Sequence, residues 1–213
     1  MDQIEEHIPG SKKVFILRHP FAVAESKKRV GDLGIYNWSY KPSDFLDSDP
    51  EINNLLDDKR PLIKDIETEA DSWILKVTVW CILHSLAFRS KSIKNYQVVF
   101  YEHLVVDPAK TIKDLFNNLG FNERYKINES KIEALFKKPS FSSNDQNTIK
   151  SSREGRSVWQ EAWPQERIER GLDILKAFDL DFIYGSDHFP KLTSEGLQSH
   201  FQRNQLFLER ITN

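Results

Sequence analysis

Cysteine is almost missing from this chain of 213 residues. Its single thiol, Cys81, excludes a disulfide framework and points to a reducing compartment. The neighbours Trp80, Ile82 and Leu83 mark it as a buried apolar residue, not a nucleophile. Charge of one sign is missing too: a formal net charge of -2 gives no electrostatic case for nucleic acid. No apolar run approaches the ~20 residues of a membrane span. The opening MDQIEEHIPGSKK has no apolar signal core. Internal repeats and low-complexity tracts are absent. What remains is a globular composition, 39% hydrophobic and 12% aromatic, of a length that suits one domain with a sizeable core. These features predict a cytoplasmic protein with no nucleic-acid or membrane partner.

The most informative segment is Val14 to Ser26, VFILRHPFAVAES. Val14 to Leu17 is an apolar run, the pattern of a buried parallel strand. Arg18 sits where that strand ends. Pro20 suits the first turn of a helix, where its missing N–H would be unpaired anyway. Phe21 to Arg29 then reads as helical, with Ser26 about two turns in. Ligands of open α/β sheets bind beyond the carboxyl ends of the strands. A helix N-terminus there, with an arginine beside it, is suited to phosphate.

Further along, Val30 to Asp65 reads as irregular, broken by Gly31, Gly34, Pro42, Pro50 and Pro61, with short helical turns between Asp44 and Leu56. Glu69 to Phe88 reads as a long helix with Trp73, Val77, Trp80, Cys81, His84 and Phe88 on an inward face; both tryptophans are expected in the core. Tyr96 to Tyr101 reads as a second buried strand. After a turn at Leu104 to Pro108, a helix is expected with Asp107 as N-cap, Pro108 at its first position and Gly120 closing it. Pro139 to Trp163 is a polar Ser- and Asn-rich loop of a length usually reserved for function or disorder. Helices are predicted over Pro164 to Phe178 and over residues 192 to 211.

The order of these motifs resembles the sulfotransferases that use PAPS (3′-phosphoadenosine 5′-phosphosulfate), over residues 11 to about 190. Arg18, His19, Pro20, Val23, Ala24 and Ser26 fill that family's 3′-phosphate motif. Val98 to Gly120, VVFYEHLVVDPAKTIKDLFNNLG, is similar to its Tyr-Glu-Asp/His-Leu strand end and Asp-Pro helix. The resemblance implies that Arg18 and Ser26 hold the 3′-phosphate and that Tyr101 lies against the adenine. Ser140-Phe141 matches an adenine-contacting element. Arg153-Glu154-Gly155 matches an Arg-Lys-Gly stretch that closes over the phosphate; its acid would repel phosphate, which leaves Arg156 as a rival to Arg153. Asp181 to Pro190, DFIYGSDHFP, resembles the terminal segment of bacterial members.

The implied fold is α/β, a P-loop kinase-like parallel sheet flanked by helices and incomplete at its N-terminus. A sulfotransferase domain would cover residues 1–190 and a C-terminal helix residues 191–213. The implied function is sulfuryl transfer from PAPS to a hydroxyl or amine acceptor, with adenosine 3′,5′-bisphosphate as product, no metal, and a small-molecule or carbohydrate acceptor. Tyr36, Trp38, Tyr40 and Phe45 offer aromatic surface for that acceptor. Gly10-Ser11-Lys12 leads straight into the strand, so the expected phosphate loop is missing and the catalytic residues are unassigned; His7 is the sole upstream histidine. That shortfall predicts impaired turnover and self-association through an exposed sheet edge or the last helix. Two other readings stay open: a non-catalytic nucleotide-binding remnant, and a relative of small-molecule kinases.

Overall fold

The computed structural model describes residues 7–32, 40–46, 50–121, 126–137 and 157–212. Its centre is a two-stranded parallel sheet, β1 (Lys13–Leu17) and β2 (Tyr96–Phe100), in register from Lys13↔Tyr96 to Leu17↔Phe100. Around it lie α1 (Pro20–Asp32), α2 (Pro50–Leu56), α3 (Arg60–Glu69), α4 (Ser72–Arg89), α5 (Tyr101–Val106), α6 (Pro108–Asn118), α7 (Glu129–Phe136), α8 (Val158–Ala162), α9 (Gln165–Ala177) and α10 (Ser194–Thr212). The described chain is therefore mostly helical, with a small parallel sheet flanked by helices, an arrangement compatible with an α/β fold.

Four expectations need correction. The stretch Val30 to Asp65 is not mainly irregular: α2 and α3 occupy much of it, and Pro42–Phe45 adds a 3-10 turn. Pro50 and Pro61 begin helices there, because proline costs nothing where no N–H partner exists. The long helix starts at Ser72, not Glu69. Ala70 takes a left-handed conformation (φ 54°) that ends α3, and Asp71 then caps α4 by accepting from the Trp73 and Ile74 N–H groups at 2.9 and 3.2 Å. The turn at Leu104 is helical, since α5 follows β2 directly. The polar loop also contains a helix, α8, near its end.

Other elements form where expected. Asp107 accepts from the Lys110 N–H at 3.0 Å and Pro108 opens α6. Gly120 adopts φ +76° beyond the last turn, and the Phe121 N–H reaches back to the Phe116 carbonyl at 2.9 Å, as in a Schellman cap.

α4 packs on α1 and α9, and its apolar residues surround the helix on most sides, as in a helix buried within a fold. Trp80 and Cys81 are buried there as expected. Burial pushes the Cys81 thiol pKa up, so it stays protonated. β1 differs: Val14 and Ile16 are 37% and 57% exposed, an apolar strand face left open to solvent.

α9 meets α1 at Gly171. A Cβ there would lie 2.5 Å from the Phe21 ring, which is fully buried among His19, Trp159 and Trp163. Helix propensity favours Gly171→Ala by up to ~1 kcal/mol, but the overpacked ring is expected to cost ~1–3 kcal/mol. Thermal melting of Gly171→Ala should show a lower Tm; an unchanged or raised Tm would mean that Phe21 can give way.

Candidate functional site

The strand register positions the site. The paired strands end at Leu17↔Phe100, and the chain then continues into Arg18 and His19 on one side and into Tyr101 and Glu102, the start of α5, on the other. The Arg18 guanidinium accordingly lies over the Tyr101 ring at 4.5 Å. The His19 backbone N–H donates to Glu102 Oε1 at 2.7 Å, and the Tyr184 hydroxyl donates to Glu102 Oε2 at 3.1 Å. Glu102 is 1% exposed. Burial pushes its carboxyl pKa up, against the opposing pull of the His19 N–H, the Tyr184 hydroxyl and the nearby Arg18 charge. Glu102 thus ties the turn after β1 to the end of β2, holding Arg18 at the sheet's carboxyl edge.

His19 serves the same end. Its Nδ1 accepts from the Phe21 N–H at 3.2 Å, the service an N-cap side chain gives the first turn of a helix. Its Nε2 therefore carries the proton and donates to the Gly185 carbonyl at 3.1 Å. The ring stacks on Trp159 at 4.8 Å. Burial lowers its pKa to about 3, so it is neutral at physiological pH and acts as a structural pin, not a proton carrier.

A small cavity of about 30 Å³ opens beside Arg18, between α1 and the start of α8. Arg18, Glu25, Ser26, Arg29, Ser157 and Trp159 line it. One water needs ~10–15 Å³ measured this way, so the space suits a phosphoryl-sized group and not a nucleoside. Among the lining residues, Arg29 Nε and Trp159 Nε1 are buried donors with no hydrogen-bond partner among the described residues.

Glu25 is the one acid in this lining. Its Oε2 accepts the indole N–H groups of both Trp73 and Trp163 at 2.8 Å. Arg167 stacks over the Trp73 ring at 4.1 Å and bonds Asp71 Oδ2 at 2.9 Å. This cluster joins α1, α4 and the chain around α8 and α9. Trp73 is therefore half-buried and hydrogen-bonded in this cluster, not a core residue like Trp80.

The structure thus brings Arg18 and Ser26 to one cavity and sets Tyr101 beside Arg18. Phe141, Arg153, Gly155 and the rival Arg156 lie outside the described residues, as do Ser140, Tyr36 and Trp38. Tyr40 is 65% exposed and 6.4 Å from the Phe45 ring. Sequence reasoning missed Glu25, Arg29 and Ser157; Trp159, downstream of Arg153-Glu154-Gly155, and Glu102 lie in the motifs it used but received no role. Arg29 was within reach, because it lies one helical turn after Ser26 and shares its face. Two larger hollows, of about 330 and 460 Å³, lie elsewhere and include neither Arg18 nor Tyr101. Among the described residues no cluster of metal-ligating side chains occurs, and no helix is long and apolar enough to cross a membrane. No family model, curated protein or solved structure matches the chain.

Proposed function

We propose that this chain is a nucleotide-binding member of the PAPS-dependent sulfotransferases, built on a P-loop kinase-like sheet. Its cavity beside Arg18 receives the 3′-phosphate of PAPS or of adenosine 3′,5′-bisphosphate. The observation that carries this reading is the convergence of Arg18, Ser26 and Arg29 on one small space beside the carboxyl end of β1. Tyr101, against Arg18 just past the end of the neighbouring strand, offers a ring on which a base can stack. The space is too small for the nucleoside, so ribose and adenine lie outside it, on the Tyr101 side.

In the reaction proposed, an acceptor hydroxyl or amine attacks sulfur in line. The bond between sulfur and the bridging oxygen breaks, and adenosine 3′,5′-bisphosphate leaves with the electron pair. The residues named here hold and orient the donor. The buried, protonated Cys81 fits a reducing, cytoplasmic setting.

Titration calorimetry on the full chain tests the reading. Adenosine 3′,5′-bisphosphate is expected to bind at least tenfold more tightly than AMP, because a charge-assisted hydrogen bond contributes ~1.5–3 kcal/mol. Equal affinities would remove the 3′-phosphate assignment.

A further inference from the structure

Glu25 is the one acid in a cavity whose other polar lining residues are Arg18, Ser26, Arg29, Ser157 and Trp159. Its Oε2 is occupied by two indole N–H groups, which leaves Oε1 as the acceptor available to an occupant. An occupant must therefore satisfy donors and an acceptor together. We propose that Glu25 selects a phosphate monoester carrying one proton and turns away sulfate and sulfate esters. The proposal rests on reading the cavity as an anion site.

The chemistry separates the two ions. A phosphate monoester has a second pKa near ~6, so it can carry a proton near neutrality and donate it to a carboxylate oxygen. Such an O–H to carboxylate bond is among the stronger hydrogen bonds. A sulfate group has no proton to donate at any pH at which proteins fold. It would set a fixed negative charge against Glu25, in a site where burial weakens screening.

Other charged groups lie around Glu25, and His188 lies near Arg18 with its pKa lowered by burial. Arg18 and Arg29 line the cavity itself. Lys28 of α1 and Arg167 of α9 lie over the Trp73 ring at 5.4 and 4.1 Å, and Asp71 before α4 is paired with Arg167. His19, behind Trp159, titrates near 3. Between pH 6 and 8 the phosphate ligand itself changes protonation, with a second pKa near ~6. Affinity for phosphate rises as pH falls toward the ligand's own pKa; affinity for sulfate does not follow it.

The test is calorimetry with inorganic phosphate, inorganic sulfate and adenosine 3′,5′-bisphosphate at pH 6 and pH 8, on the full chain and on Glu25→Gln. Glutamine keeps a carbonyl oxygen for both indoles and removes the charge; unchanged tryptophan emission checks that the cluster survives. At pH 6 the native chain should prefer phosphate to sulfate by about tenfold or more, the size of one charge-assisted hydrogen bond. Glu25→Gln should erase the preference by binding sulfate more tightly. The same phosphate-to-sulfate ratio in both proteins overturns the proposal. If Glu25→Gln does not fold, the native chain decides alone, since equal affinities for the two ions at pH 6 overturn it as well. Selective binding of inorganic phosphate without the bisphosphate keeps this inference and removes the nucleotide reading. No binding of any of the three overturns both.

Discussion

Arg18→Ala is expected to weaken binding of adenosine 3′,5′-bisphosphate by roughly tenfold to a hundredfold while leaving the fold intact. The lost interaction is a charge-assisted hydrogen bond to the phosphate, worth ~1.5–3 kcal/mol. In the unliganded protein Arg18 is half-buried, and its described contact is the cation–π pair with Tyr101 at 4.5 Å. That pair contributes only ~0.5–1 kcal/mol at such a site, so Tm should fall by no more than ~2–4 °C. Ser26→Ala should cost less affinity, about one hydrogen bond to a charged group. Calorimetry beside thermal melting separates the possibilities. A large fall in Tm with binding retained would make Arg18 a structural residue and end the phosphate assignment.

The second large effect is acid lability. Burial lowers the pKa of His19 to about 3 and of His84 to about 4. His84 is half-buried and held by its Nδ1 contact with the Trp80 carbonyl at 2.7 Å and by stacking on the Trp80 ring at 3.8 Å. Both folded-state values lie below the unfolded value of 6.5, so the unfolded chain binds the extra protons. The stability these residues contribute is complete above pH 6.5 and is lost as pH falls toward 4. At pH 4.5 each would account for about 2–3 kcal/mol, together about 5 kcal/mol, against a typical total of ~5–15 kcal/mol. Glu102 works in the opposite direction, since its raised pKa relieves a burial penalty as it protonates, but it is one group against two. Melting curves from pH 7 to pH 4.5 should show Tm falling by ~10–20 °C. A flat profile down to pH 5 would mean that neither imidazole is buried as described.

Local chemistry made much of this fold readable. The apolar runs ending at Leu17 and Phe100 became parallel strands, though Val14 and Ile16 of the first stay exposed and only the second is buried on most of its length. Pro20, Asp107, Pro108 and Gly120 bounded helices for reasons confined to one backbone turn. Where the reading failed, prolines were taken only as breakers between Val30 and Asp65, although proline equally begins helices. Trp73 was placed in the core on spacing alone, because spacing records which side of a helix faces inward and not what the indole N–H will meet.

Arg18 and Ser26 were legible as a pair because a strand end and the helix after it are adjacent in the chain. The sequence by itself determined that pair, the two strands and the near-neutral, cysteine-poor character of the protein. Only the tertiary structure decided the rest of the site. Tyr101 meets Arg18 through a strand register spanning 83 positions, the separation that also joins His19 to Glu102. Glu25 meets Trp73 and Trp163 across separations of 48 and 138. Contacts at such range are set by how helices pack around the sheet, and no local pattern of residues encodes them.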